Sequence, residues 1–97
     1  MTALEKHCAN ALRLSDASAD ALIDEIKLNI EVARADMVRS GVPKEYVEDE
    51  NDMLVINTII KYVCSEMGSI ESERFKSMDA YRLCLDELRK SVESDAE

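Results

Sequence analysis

The chain has 97 residues, with 21 acidic and 12 basic side chains, so its formal net charge is −9. This length accommodates one domain, and a hydrophobic share of 46% is too high for a disordered chain. Nucleic-acid binders usually carry basic patches that neutralise phosphates. No basic run occurs here, so we expect no tight DNA binding. Two glycines and one proline provide too few turn formers for an all-β fold.

The three cysteines, Cys8, Cys64 and Cys84, predict reduced thiols and not a disulfide framework. Their number is odd, their spacings are long, and each lies in an apolar stretch of helical periodicity. No apolar run reaches the roughly 18 residues that a membrane-spanning helix requires, and no signal segment opens the chain. We therefore expect a cytosolic protein with no membrane span.

The first predicted helix covers residues 3–14. Thr2, followed three residues later by Glu5, fits a capping box at its start. The helix is short, so it must dock on another element to persist. Residues 15–18 then predict a break, in which either serine can accept hydrogen bonds from the start of the next helix.

The second predicted helix is long and covers residues 19–40. Its apolar residues recur at steps of three and four, the spacing of one helix face: Leu22, Ile26, Ile30, Ala33 and Met37. Ile23 and Val38 widen this stripe. Gly41 fits the left-handed position just past a helix end, and Pro43 prevents continuation of the helix.

The segment from residue 42 to 51 is the one extended loop, and the sequence leaves open whether it contains a helical turn. Residues 52–67 carry many β-branched side chains, so a strand is an alternative. Helix is favoured because some 15 residues pass without a turn signal. The apolar spacing also fits a helix: Met53, Ile56, Ile60, Val63 and Met67. Gly68 then ends the segment.

The last predicted helix starts at residue 71 or 72 and ends near Val92. Its apolar stripe steps by three or four residues: Phe75, Met78, Tyr81, Leu85, Leu88 and Val92. The polar tail, residues 93–97, is predicted to fray. The whole pattern predicts an all-α fold, a small bundle of about four helices (short, long, long, long) in a single domain of residues 1–97.

No group of residues points to catalysis, a cofactor or a metal. His7 is the only histidine, and it lies beside Cys8 on a helix, where adjacent side chains point about 100° apart. No CxxC or HxxxH spacing occurs, and isolated glycines make no phosphate-binding loop. We interpret His7 as a surface residue and the chain as a non-enzyme. Most of the methionines fall on predicted inner faces: Met37, Met53, Met67 and Met78.

Two segments are candidate interfaces. The first lies in the loop and includes a tyrosine, a residue type that is enriched at interfaces. Its residues are Val42, Pro43, Tyr46 and Val47. The second is the exposed side of the last helix: Arg82, Arg89 and Lys90. The alternative for both is an ordinary solvated surface, and Tyr46 can equally be an anchor of its own loop.

Three stretches carry a resemblance to a known family: "ALRLSDASADALIDEIKLNIEVARADMVRSGV", "DENDMLVINTIIKYVCSEMG" and "ERFKSMDAYRLCLDELRKS". Together they span roughly residues 11–91. The first stretch resembles a short helix, an Asp/Ser break and a long helix. The second resembles a second long helix that follows an acidic turn, and the third resembles a closing helix. This arrangement, at this length, is similar to the small head–tail connector proteins of long-tailed bacteriophages, which are also known as DNA-packaging proteins.

The resemblance implies a structural role. Such connectors form a homo-oligomeric ring of about twelve copies beneath the portal, through heterologous contacts between neighbouring subunits. The ring extends the DNA channel and joins the portal protein to a downstream tail-joining protein, and DNA passes through it without specific binding. The resemblance implies location in the host cytoplasm before assembly and in the virion afterwards.

A second interpretation stays open. A small acidic chain can also be a regulatory or inhibitory binding protein, such as an immunity protein or a DNA mimic. It would act on one target as a monomer or dimer. Oligomeric state and gene neighbourhood distinguish the two interpretations.

Overall fold

The computed structural model describes residues 1–96, with side chains through Ser94. These residues form six helices: α1 (Ala3–Ala11), α2 (Asp16–Ala21), α3 (Ile23–Arg39), α4 (Lys44–Val47), α5 (Met53–Met67) and α6 (Glu71–Ala96). No strand occurs within residues 1–96. The four helices with nine or more residues are one short and three long, so the predicted all-α class is confirmed.

Helix α1 begins at the predicted capping box. The Thr2 hydroxyl accepts a hydrogen bond from the Glu5 N–H at 3.2 Å, and the Glu5 carboxylate accepts one from the Thr2 N–H at 2.9 Å. Two backbone donors that the first turn leaves without intrahelical partners are therefore satisfied by side chains.

The end of α1 lies at Ala11, three residues before the predicted end. Arg13 adopts a left-handed backbone conformation with φ of 58°. The N–H of Leu14 bonds the carbonyl of Ala9 at 3.1 Å, and the N–H of Arg13 bonds that of Asn10 at 3.0 Å. This pair of bonds is the Schellman motif, which usually has glycine in the left-handed position.

The segment predicted as one long helix over residues 19–40 contains the end of α2 and all of α3. The predicted break over residues 15–18 contains the start of α2. The Ser15 hydroxyl caps α2 by accepting from the Ser18 N–H at 3.2 Å. Leu22 then leaves the helical region, with φ −104° and ψ 9°, so α3 starts at Ile23. As predicted, Gly41 follows α3 in the left-handed region, with φ of 108°.

The loop after α3 contains a helical turn, α4, which follows Pro43. Arg34 of α3 holds this turn in place, because its Nε donates to the carbonyl of Val47 at 3.1 Å. The same guanidinium bonds the Glu31 carboxylate at 2.8 Å and lies 3.9 Å from that of Glu50. One side chain thus joins α3 to the C-terminal end of α4 and to the residues that follow it.

Helix α5 occupies the centre of the bundle and packs against α6, α3 and α1. Its start is capped by Asp52, whose carboxylate accepts from the N–H groups of Leu54 and Val55. The buried side chains cover about half of its circumference: Val55, Ile56, Thr58, Ile59, Val63 and Ser65. This segment, for which its β-branched side chains left a strand as an alternative, is a helix, as predicted.

Helix α6 runs antiparallel to α5. Tyr62 packs edge-on against Tyr81 with ring centroids 5.1 Å apart, and Asn57, earlier in α5, reaches Cys84, later in α6. The helix continues to Ala96, so residues 93–96, predicted to fray, are helical. The last residue of the predicted tail, residue 97, lies outside the described residues.

Two residues predicted on inner faces of α5 and α6 are exposed. Phe75 is 64% exposed, because two steps of three residues separate it from Tyr81 and rotate it about 120° away from the buried side of α6. Met53, the first residue of α5, is 69% exposed, although Val55 and Ile56 in the same turn are buried. The other predicted inner methionines are buried or half-buried: Met37, Met67 and Met78.

Candidate interaction surfaces

The loop predicted as the first interface is anchored by two valines. Val42 is 1% exposed and Val47 is 2% exposed, so both belong to the core. Their prediction as interface residues is corrected on this point, because the α4 turn points them inward. Pro43 and Tyr46 are half-buried, and Tyr46 packs against the same core. The loop therefore offers a partner only parts of these two side chains and the charged residues around them.

The outer face of α6 is the second predicted interface, and its three cations are exposed: Arg82, Arg89 and Lys90. Arg89 forms an exposed ion pair with Asp86, with the two charged groups 3.8 Å apart. Between and beside these cations lie Phe75 and Leu83, which are 64% and 67% exposed. We define the outer face of α6 as Phe75, Arg82, Leu83, Arg89 and Lys90.

Phe75 and Leu83 distinguish this face from ordinary surface. They are eight residues apart, about 12 Å along the helix axis. Single exposed apolar side chains are common on soluble proteins, whereas large ones grouped on one side among charges are typical of contact sites. The sequence assigned Phe75 to the core, so this apolar character of the face was missed.

A second apolar surface lies on α3 and was not predicted. Four residues of this helix are exposed and apolar, and we call them the α3 stripe: Leu28, Val32, Ala35 and Val38. Leu28 is 64% exposed, and Val38, predicted to widen the core stripe, is 42% exposed. The stripe lies opposite the buried face of α3, which consists of Ile26, Ile30, Ala33 and Met37. The sequence contains this stripe as a second run of four- and three-residue steps. Its first three members lie two positions after Ile26, Ile30 and Ala33.

A groove of about 420 Å³ adjoins the α3 stripe, between α3 and α4. Its α4 side consists of Lys44, Val47 and Glu48. Its α3 side combines the apolar Ala35 and Val38 with three charged residues: Glu31, Arg34 and Arg39. A larger cleft of about 510 Å³ lies elsewhere, where the end of α1, the start of α3 and the junction of α5 with α6 meet. Its walls are mainly apolar, and Arg13 and Lys76 contribute cations to them.

One buried polar contact links α3 to α6. The Tyr81 hydroxyl donates to one oxygen of the Asp36 carboxylate at 2.6 Å, and Arg39 donates to the other oxygen at 2.6 Å. Burial alone raises the pKa of Asp36, but these two hydrogen bonds outweigh burial and lower it below its usual value. Two effects raise the pKa of Tyr81 far above its usual value: burial, which is the larger, and the hydrogen bond to the Asp36 anion. The contact therefore holds the two helices together with Tyr81 as a fixed donor.

The three cysteines are free thiols, as predicted. Cys8 is fully buried, and Cys64 and Cys84 are half-buried. Burial raises the pKa of Cys8 to about 12 and raises that of Cys64 as well. Protonated thiols are poor nucleophiles and poor metal ligands. His7 is exposed, and within the described part of the chain no three His, Cys, Asp or Glu side chains gather closely enough to hold a metal ion.

None of the helices formed by residues 1–96 combines the length and the apolar character that a membrane crossing requires. Comparisons with protein-family models, with curated proteins and with solved structures find no match to this chain.

Proposed function

We propose that this chain is a structural adaptor of long-tailed bacteriophage particles, a head–tail connector. On this proposal about twelve copies form a ring beneath the portal protein through heterologous contacts. The ring extends the DNA channel and presents a surface to a downstream tail-joining protein. The chain acts by binding alone, without catalysis or a cofactor, in the host cytoplasm before assembly and in the virion afterwards.

The outer face of α6 is the observation that supports this proposal most. Its two large apolar side chains, Phe75 and Leu83, are about two-thirds exposed in the isolated subunit. Charged side chains flank them on the same side of the helix: the cations Arg82, Arg89 and Lys90 and the anions Asp79 and Asp86. An apolar centre with a charged rim is the usual composition of a protein–protein contact, and a rim with charges of both signs favours a neighbouring surface of complementary pattern.

The net charge also suits a channel through which DNA slides. Phosphate contacts from Lys and Arg dominate the affinity of proteins for DNA, so a channel wall with few of them leaves DNA mobile. A strongly basic lumen in the assembled ring, seen when its surface potential is mapped, would contradict this part of the proposal.

The experiment that tests the proposal is co-sedimentation of the purified protein with portal-bearing, DNA-filled capsids that lack it, followed by imaging of the vertex. A ring of density at the portal is the expected result. Leu83→Asp should reduce binding, whereas the matched control Met53→Asp should not, because Met53 is equally exposed at 69% but lies away from the outer face of α6. Failure of the well-folded wild-type chain to bind its cognate capsid would overturn the proposal.

A second candidate function rests on the acidic loop. Glu48, Asp49 and Glu50 are exposed side by side next to α4, and such a cluster can present phosphate-like charge to a basic protein. An immunity-protein or DNA-mimic role would then place the binding site on this loop. A complex of one or two copies with a single basic target, without ring formation, would favour this role.

A further inference from the structure

The α3 stripe has no partner within the described chain. Leu28, Val32 and Val38 are 64%, 41% and 42% exposed, and Ala35 lies between them on the same side of the helix. The steps from 28 to 32, 35 and 38 are four, three and three residues, which keeps these side chains on one side of the helix. The stripe shares no residue with the outer face of α6, so it needs an explanation of its own.

The charges at the two ends of the stripe have opposite signs. Asp24 lies one turn before Leu28, at the N-terminal end, and Asp20 and Glu25 are close to it in sequence. Arg39 lies one turn after Ala35, at the C-terminal end, with Lys44 across the groove. The Arg39 side chain is 80% exposed, and one of its guanidinium nitrogens donates to Asp36 within the same helix, so Arg39 would share its charge between Asp36 and a partner. Asp24 forms no ion pair within residues 1–96. A partner helix that matches this pattern must be basic where α3 is acidic and acidic where α3 is basic.

A second copy of α3 in antiparallel orientation has this pattern. When Leu28 of one copy lies opposite Ala35 of the other, Asp24 lies opposite Arg39, and the two-fold axis passes beside Val32. Each of these pairs occurs twice, because a two-fold interface is isologous. A parallel pair would instead bring acid to acid and base to base.

Shape agrees with the same register. Leu28 is the largest protruding side chain of the stripe, and Ala35 is the smallest. The groove of about 420 Å³ between α3 and α4 opens next to Ala35. In the antiparallel register, Leu28 of each copy therefore faces the groove of the other, and a protruding side chain meets a recess twice.

We propose that the free protein forms a two-fold homodimer through antiparallel packing of its α3 stripes, with Leu28 of each copy in the α3–α4 groove of the other. The seam spans about 22 Å along the helices. This single helix pair lies at the lower end of specific interface sizes, below about 1,200 Å² in total, a size typical of weak or transient association. We expect a dissociation constant on the order of micromolar. The proposal does not depend on the connector role.

Sedimentation equilibrium at about 0.15 M salt, where repulsion between exposed charges is screened beyond about 8 Å, measures the association. Leu28→Asp should raise the dissociation constant at least about tenfold, because each change counts twice in the dimer. The matched control Met53→Asp adds the same charge at an equally exposed position and should leave it unchanged. A wild-type chain that stays monomeric to millimolar concentration would overturn the proposal and assign the stripe to a different partner.

Charge reversal tests the register. Asp24→Arg places arginine opposite Arg39 and should weaken the dimer about fivefold, although it lowers the net negative charge of each copy. Arg39→Asp should weaken it similarly, and the double variant should restore it. If net charge alone controlled association, Asp24→Arg would tighten the dimer, and that result would contradict the antiparallel register.

Cross-linking tests the orientation. Val32→Cys, beside the two-fold axis, should form an intermolecular disulfide under mild oxidation, whereas Asp24→Cys should not, because the two positions 24 lie at opposite ends of the seam. The unsubstituted chain and Leu83→Cys report the background from native thiols and from random collision. Efficient cross-linking of Asp24→Cys would indicate a parallel pair and refute the proposal.

Discussion

Replacing Tyr81 by phenylalanine tests how much the contact between α3 and α6 contributes to stability. Tyr81 is 3% exposed, and its hydroxyl donates to the Asp36 carboxylate at 2.6 Å. A hydrogen bond to a charged group contributes about 1.5–3 kcal/mol. The Asp36 side chain is 25% exposed, so water replaces part of the lost bond, and we expect a loss of about 1–2 kcal/mol.

Urea unfolding followed by circular dichroism measures this loss. The midpoint should fall by roughly 1 M urea at constant slope, and the melting temperature by about 4–8 °C for each kcal/mol. Tyr62→Phe is the matched control, because it removes a hydroxyl from the neighbouring ring while keeping the edge-on ring contact. This control should change stability by less than about 0.5 kcal/mol. Equal losses in the two variants would refute the assignment of the effect to Asp36.

The same pair of variants has a defined pH dependence. The pKa of Asp36 is lowered in the folded chain from its ordinary value of 3.8. Its contribution to stability is therefore fully present above the unfolded pKa and is lost as the pH falls through the folded pKa. The stability difference between wild type and Tyr81→Phe should be largest at neutral pH and should narrow below pH 3.8. A difference that grew in acid would contradict an anionic Asp36 as the acceptor.

Three further predictions concern single residues. In the folded protein a thiol reagent should modify Cys64 and Cys84 before Cys8, whose thiol is fully buried with a pKa of about 12; rapid labelling of all three at equal rates would contradict this burial. Arg13→Gly should stabilise the chain by about 0.5–1 kcal/mol in thermal unfolding, because glycine adopts φ of 58° without the strain that arginine has there; a loss of stability would show that the arginine side chain makes a compensating contact. Gly41→Ala should destabilise it by about 1–2 kcal/mol through its φ of 108° alone, since no atom lies within 4 Å of the added methyl group; an unchanged urea midpoint would refute this.

The candidate surfaces were only partly predictable. The exposure of Arg82, Arg89 and Lys90 follows from their positions outside the apolar stripe of the last helix, and charged side chains avoid burial whatever packs nearby. Val42 and Val47 were predicted in the right segment, but their burial depends on the α4 turn. That turn is held by a hydrogen bond from Arg34, thirteen residues before Val47. No local pattern in the sequence encodes such a contact.

The sequence by itself determined the helical class and those helix ends that depend on neighbouring residues. The capping box joins Thr2 and Glu5, which are three positions apart. The left-handed conformation just after α3 favours a residue without a side chain, and Gly41 supplies it. Local sequence suffices to predict both features.

Tertiary structure alone decided which apolar residues are buried. Helix α3 carries two apolar faces of similar periodicity, and only the packing of α5 against one of them makes that face core and leaves the other as the α3 stripe. Phe75 and Met53 have the hydrophobicity of core residues but have no neighbour that covers them. The hydrogen bond between Asp36 and Tyr81 joins residues 45 positions apart. Whether a side chain is buried depends on which other element packs against it, and the periodicity within one helix does not identify that element.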